Sequence, residues 1–108
     1  MNLAAKKMLL VFADLTDTWR DEPLHDAIVR LLERQGLAGA TVVAGIMGFG
    51  RHRLIHRKGL FGMVDEKPVT ILCIDDEAKI MAVVPLVYPM VKEGILVIQD
   101  VQVVVGVT

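Results

Sequence analysis

Apolar residues gather along this chain in four runs of strand length, and two segments between the runs repeat their apolar positions at helical spacing. Met8 to Asp14 (MLLVFAD) predicts a buried strand, stopped by the polar, turn-prone stretch LTDTWRDE. A helix should follow. Pro23 suits its first turn, Asp21 and Glu22 favour its N-terminal dipole, and Leu24, Ala27, Ile28, Leu31 and Leu32 form its apolar stripe. Arg34 and Gly36 close it. Thr41 to Met47 predicts a second strand, Gly48 to Lys67 a long glycine-punctuated connection, and Val69 to Ile74 a third strand. Asp75 and Asp76 are expected to cap a second helix. That helix runs through Glu77 to Glu93 on the period of Ile80, Val83, Val84, Val87 and Val91, with Pro85 and Pro89 kinking or shortening it. Gly94 ends it, and Ile95 to Val105 predicts the last strand. The order β-α-β-β-α-β predicts an α+β ferredoxin-like sandwich: an antiparallel four-stranded sheet with two helices on one face, in one domain over residues 1–108.

Polarity within the strands adds an expectation about assembly. Across Met8–Ala13, Thr41–Met47, Val69–Ile74 and Ile95–Val105 only Thr41, Thr70, Gln99, Asp100 and Gln102 are polar among 30 residues, so neither side of the pleat reads as solvated. Two helices cover one face, which leaves the other for neighbouring subunits. Composition agrees: 54% of the 108 residues are hydrophobic and nine more are glycine, more than a lone small domain can hide.

Charge and side-chain inventory then narrow the chemistry. A formal net charge of −1 gives no general attraction to nucleic acid or to an acidic membrane surface. One cysteine cannot form an intramolecular disulfide, and the absence of serine excludes serine-based nucleophilic catalysis. The apolar run Met8 to Ala13 is too short for a signal-peptide core, so the mature chain is expected to begin here and to be cytoplasmic. The longest uncharged stretch, Gln35 to Gly50, is too short and too glycine-rich to cross a bilayer. Cys73 reads as a small buried hydrophobe. Asp14, Asp17, Asp21, Glu22, His25 and Asp26 read as a solvated acidic loop and helix start rather than an acid–base site, and Trp19 within that loop as a packing residue.

The sharpest chemical signal lies between Gly45 and Gly59. No carboxylate occurs in the 31 residues between Glu33 and Asp65, while Arg51, Arg53, Arg57 and Lys58 fall within eight positions. Gly45, Gly48 and Gly50 permit close backbone approach, and guanidinium forks with an ammonium group match phosphate oxygens. An anionic ligand is one reading; a solvated basic loop is the other. The glycine order matches neither a dinucleotide-binding fingerprint nor a phosphate-binding loop of the Walker type. His52 and His56 lack a nearby cysteine or acid that would complete a metal site, so phosphate hydrogen bonding suits them better.

Residues PLHDAIVRLLERQGLAGATVVAGIMGFGRHRLIH, PVTILCIDDEAKI and MVKEGILVIQDV closely resemble the PII-like family called domain of unknown function 190, over nearly the whole chain. The most specific piece is Gly45 to Gly50, with Ile55-His56 shortly after. That family is similar to the PII signalling proteins, which carry a comparable run to Gly48, Phe49, Gly50 and Arg51. The resemblance implies a homotrimer of ferredoxin-like subunits, with no cofactor required. It implies a small phosphate-bearing effector in the clefts between subunits, an adenine nucleotide such as AMP, ADP, ATP or a cyclic form. It also implies a signalling loop after the second strand, over about residues 48–67, and a membrane channel or transporter protein as target. Gly45, Gly48, Phe49, Gly50, Arg51, Arg53, His56, Arg57 and Lys58 are the expected ligand-binding residues, with none catalytic and none binding metal. The chain departs from PII proteins in having Lys92-Glu93-Gly94 in place of a Gly- and Lys-rich phosphate loop, and Val103 to Val105 where they carry arginines. No Tyr or Ser lies between Gly48 and Val64 to accept a modification. The resulting expectation is a non-enzymatic regulatory protein; the alternative is a CutA-like metal-responsive or amino-acid-binding trimeric module without nucleotide. A small enzyme using Asp14 and His25 is the weakest reading, because no base is paired with an obvious nucleophile.

Overall fold

Alternation decides how the longest strands face. In β1 (Asn2–Asp14) Leu9 and Val11 are fully buried while Met8, Leu10 and Phe12 point to the other side of the pleat. The computed structural model describes residues 1–50 and 67–106. Next come a small hairpin of β2 (Thr18–Trp19) and β3 (Glu22–Pro23), α1 (Leu24–Arg34), β4 (Thr41–Ala44), β5 (Pro68–Asp75), α2 (Glu77–Val87) with a 3₁₀ turn at Tyr88–Met90, and β6 (Ile95–Val105). The main sheet is antiparallel throughout, in the order β4-β5-β1-β6. Both helices lie on its Leu9/Val11 side, where Ile28 and Leu32 of α1 and Ile80, Val83 and Val87 of α2 meet Ile71 and Cys73 of β5. This is the ferredoxin-like α+β architecture. Among the described residues no helix is long and apolar enough to cross a membrane.

Several boundaries differ from the sequence expectation. Strand β1 starts at Asn2, six residues before Met8, because it pairs with β6 along its whole length up to Phe12. Pairing with β5 stops at Lys7↔Asp75, so Asn2–Lys6 and Val101–Val105 form a two-stranded ribbon running past the rest of the sheet. The second strand ends at Ala44, not Met47. The stretch LTDTWRDE is not a plain loop but holds the β2–β3 hairpin, whose turn residues Arg20 and Asp21 have φ of 51° and 67°. The second helix ends at Val87: Pro85 supplies no N–H within it, and Pro89 sits in the 3₁₀ turn that follows. At the end of α1, Gly36 adopts φ 82°, its N–H bonds to Glu33 O at 3.1 Å, and Leu37 N–H reaches back to Leu32 O at 3.1 Å. That paired arrangement closes the helix and buries Leu37 against the core.

The expected caps take other roles. Asp76 occupies the N-cap position of α2 without a side-chain capping bond, and its carboxylate receives Lys6 instead. Asp75, only 8% exposed, accepts Ala38 N–H at 2.9 Å and Asp76 N–H at 2.7 Å, tying the α1–β4 connection to the start of α2. Burial alone would raise its carboxyl, but those two hydrogen bonds and the charges of Lys79 and Lys6 outweigh it and hold it below its ordinary value of 3.8. The unfolded state therefore binds the proton more readily, so this stabilisation is present above pH 3.8 and is lost as pH falls through the folded-state value. We expect Asp75→Ala to lower stability by about 3 kcal/mol, since it removes two part-buried hydrogen bonds from the Ala38 and Asp76 N–H groups to a charged carboxylate. Urea unfolding at neutral pH measures this, and Asp75→Asn should show a shallower loss of stability than the native chain below about pH 4.

Candidate functional site

The two flanks of the long connection meet at Pro68. Gly45 N–H donates to Pro68 O at 2.7 Å, and a Cβ on Gly45 or Gly48 would lie 2.8 or 3.2 Å from Pro68 Cγ. These two glycines let the outgoing chain lie flat on the proline ring. The returning chain is fastened from the other side: Leu15 N–H donates to Lys67 O at 2.7 Å, and Lys67 N–H donates to Asp14 Oδ1 at 2.7 Å. Asp14 is 3% exposed, and its Oδ2 accepts Thr16 N–H at 2.9 Å and the Thr16 hydroxyl. Asp17 joins the same turn by accepting Asp14 N–H at 3.0 Å.

Directly beside this fastening is a cavity of about 270 Å³. Phe12 to Asp14 at the end of β1, Pro68 to Thr70 at the start of β5, and Glu93 to Ile95 at the start of β6 form its walls, and Phe49 and Gly50 close it. The ends of three strands converge there because Gly94 lets two backbones touch: a Cβ on it would collide with the Phe12 carbonyl oxygen. Phe12 and Ile95 supply an apolar surface suited to a flat ring, while Thr70 and the Gly50 backbone offer hydrogen bonds. The described walls carry the carboxylates of Asp14 and Glu93 and no Arg or Lys. Positive charge begins at the next residue in the chain, Arg51.

Of the expected ligand residues, the structure brings Phe49 and Gly50 to this cavity and places Gly45 and Gly48 against Pro68. Arg51, Arg53, His56, Arg57 and Lys58, with His52, lie outside the described residues. Sequence reasoning missed Asp14 by grouping it with the solvated acids; the Asp-Leu-Thr order at a strand end, which allows an Asx-type turn, was the available signal. Asp21 and Asp26 are exposed as expected, and Glu22 pairs with Arg30. His25 places Nε2 3.5 Å from Asp26 Oδ1. Burial, and the Asp75 charge after it, push the Cys73 thiol up, so this side chain is a poor nucleophile. Among the described residues no three His, Cys, Asp or Glu side chains gather as a metal site.

Known proteins resemble the chain in both sequence and shape. A UPF0166 protein of Methanocaldococcus jannaschii is 34% identical over 103 residues, 94% of each chain. A UPF0166 protein of Aquifex aeolicus is 28% identical over 104 residues, covering 96% of this chain and 98% of its own. Among solved structures, CPII of Thiomonas intermedia bound to ADP, AMP and acetate superposes with a TM-score of 0.66 at 20% identity, over 95% of this chain and 92% of its own. A putative PII-like signalling protein of Thermus thermophilus gives 0.65 at 17% identity, over 96% and 94%. The fold is therefore PII-like. The model of the DUF190 family, described as uncharacterized ACR, matches residues 6–103. With the match running from within β1 to within β6, the chain belongs to the DUF190 family.

Proposed function

We propose that this protein is a non-enzymatic, trimeric PII-like regulator that binds an adenine nucleotide or a similar phosphate-bearing effector at the cavity beside Pro68. A neighbouring subunit completes the cleft, and the connection over residues 48–67 carries the signal to a membrane channel or transporter. The observation that carries this reading is the shared anchoring of that connection and the cavity: Asp14 and Pro68 line the cavity and also hold the two flanks of the connection. A ligand seated there bears directly on both. The apolar surface of Phe12 and Ile95 suits an adenine ring, and the run Arg51 to Lys58 supplies the charge for phosphate. CPII, with the same fold, was solved with ADP and AMP, which supports the choice of effector.

Calorimetric titration with AMP, ADP, ATP and cyclic AMP tests the reading. Each charge-assisted hydrogen bond to phosphate is worth about 1.5–3 kcal/mol, so Arg51→Ala, Arg57→Ala or Lys58→Ala should weaken binding about ten- to a hundred-fold wherever a true contact is lost. Gly50→Val should weaken it as well, by blocking close approach. A response to divalent metal with none to any nucleotide would overturn the proposal in favour of the CutA-like module. Unchanged affinity in all four variants would remove the basic run from the site.

A further inference from the structure

The helical side of the molecule carries a second, separate feature. A two-residue hairpin turn of the β2–β3 kind needs positive φ at both central positions, a demand Asn-Gly meets with little strain. Here those positions are Arg20 and Asp21. The turn lays the Arg20 guanidinium over the Trp19 ring, 5.0 Å from its centroid, at the lip of a groove of about 290 Å³ between the hairpin, α1 and the end of α2. Backbone strain held at a groove lip points toward function rather than stability.

Charge in this groove opposes that of the whole chain. Arg30 and Arg34 stand one turn apart on α1 and line it with Arg20, against a single carboxylate, Glu22, which pairs with Arg30. Arg20 and Arg34 have no ion-pair partner among the described residues, on a protein of formal net charge −1. The opposite wall is apolar, with Leu86 42% exposed and Pro89 beside it. Arginine and tryptophan next to an exposed apolar wall is the composition of protein-interface hot spots. The groove is open along its length, and one or two side chains of a peptide fit it. No lining residue is shared with the cavity beside Pro68, and the helices cover the side of the sheet away from Met8, Leu10 and Phe12. This groove is therefore independent of the nucleotide reading.

We propose that the groove docks an acidic segment of a partner protein, its carboxylates on Arg20 and Arg34 and an apolar side chain against Leu86 and Pro89. Selection of peptides from a random display library on the full chain tests this, with Trp19, the only tryptophan, as a fluorescent reporter. Selected peptides should carry Asp or Glu around an apolar residue, change Trp19 emission and bind more weakly as salt is raised. Arg20→Gln and Arg34→Gln, both at exposed positions and checked for folding by circular dichroism, should each weaken binding about tenfold. Glu22→Gln, which releases Arg30, should strengthen it severalfold. The proposal is overturned if no acidic preference emerges, or if binding is indifferent to both arginine variants. It is overturned in favour of a small-anion site if inorganic pyrophosphate binds with the same arginine dependence while the peptides do not.

Discussion

Gly94→Ala is expected to lower the stability of the protein by about 3 kcal/mol, a loss at the upper end of what overpacking causes. An added methyl would overlap the carbonyl oxygen of Phe12 and sit 2.8 Å from Val91 Cγ1. The first obstacle is backbone, so no rotamer change relieves it. Separating the two segments means loosening the Phe12↔Ile95 pair, with which the β1–β6 ladder begins. Phe12, Gly94 and Ile95 all line the cavity, so a variant that does fold should bind the effector more weakly. Gly39→Ala is the control, because a Cβ there meets nothing within 4 Å. Urea unfolding of the two variants beside the native chain measures the difference. Equal midpoints would show that the β6 start does not touch β1 as described.

How much of this was legible in the sequence depends on the range of the interaction involved. Helix α1 and strand β6 follow from local pattern alone: one apolar stripe ended by Gly36, and a β-rich run interrupted only by Gln99, Asp100 and Gln102. The first six residues of β1 did not read as strand, since Lys6 and Lys7 break the apolar pattern. Their charges are met by Asp76 and by Asp100, far away in sequence. The β2–β3 hairpin was hidden because its turn uses Arg-Asp rather than a glycine pair. At the candidate site the run Gly45 to Gly50 stood out because its signal is contiguous. Asp14, Pro68 and Gly94 did not, because each acquires its role from a segment met only on folding: Lys67 for Asp14, Gly45 for Pro68 and Phe12 for Gly94.

Val103→Glu or Val105→Glu is expected to dissociate or unfold the proposed trimer. Both residues sit in the ribbon where β1 and β6 pair without a third strand, Val103 opposite Ala4 and Val105 opposite Asn2. A two-stranded ribbon is marginal in water by itself, and this one has Leu3 and Val104 on one side and Val101, Val103 and Val105 on the other. The Val103 side continues into the face of the sheet opposite the helices, where Phe12, Ile74, Ile95 and Val97 are exposed in the single chain. Covering each such side chain is worth about 1.5–3 kcal/mol before the cost of association. Neighbouring copies seated on this face would supply both the cover and the missing support for the ribbon. A glutamate there would bring an unpaired charge into the interface, a penalty of about 3 kcal/mol or more. Light scattering should give the native protein the mass of three chains of 11.9 kDa, and each variant the mass of one chain or an unfolded signal. Met81→Glu, exposed on the helical side, should leave the mass unchanged. A native mass of one chain would overturn the trimer, and unchanged mass and melting temperature in both valine variants would place the interface elsewhere.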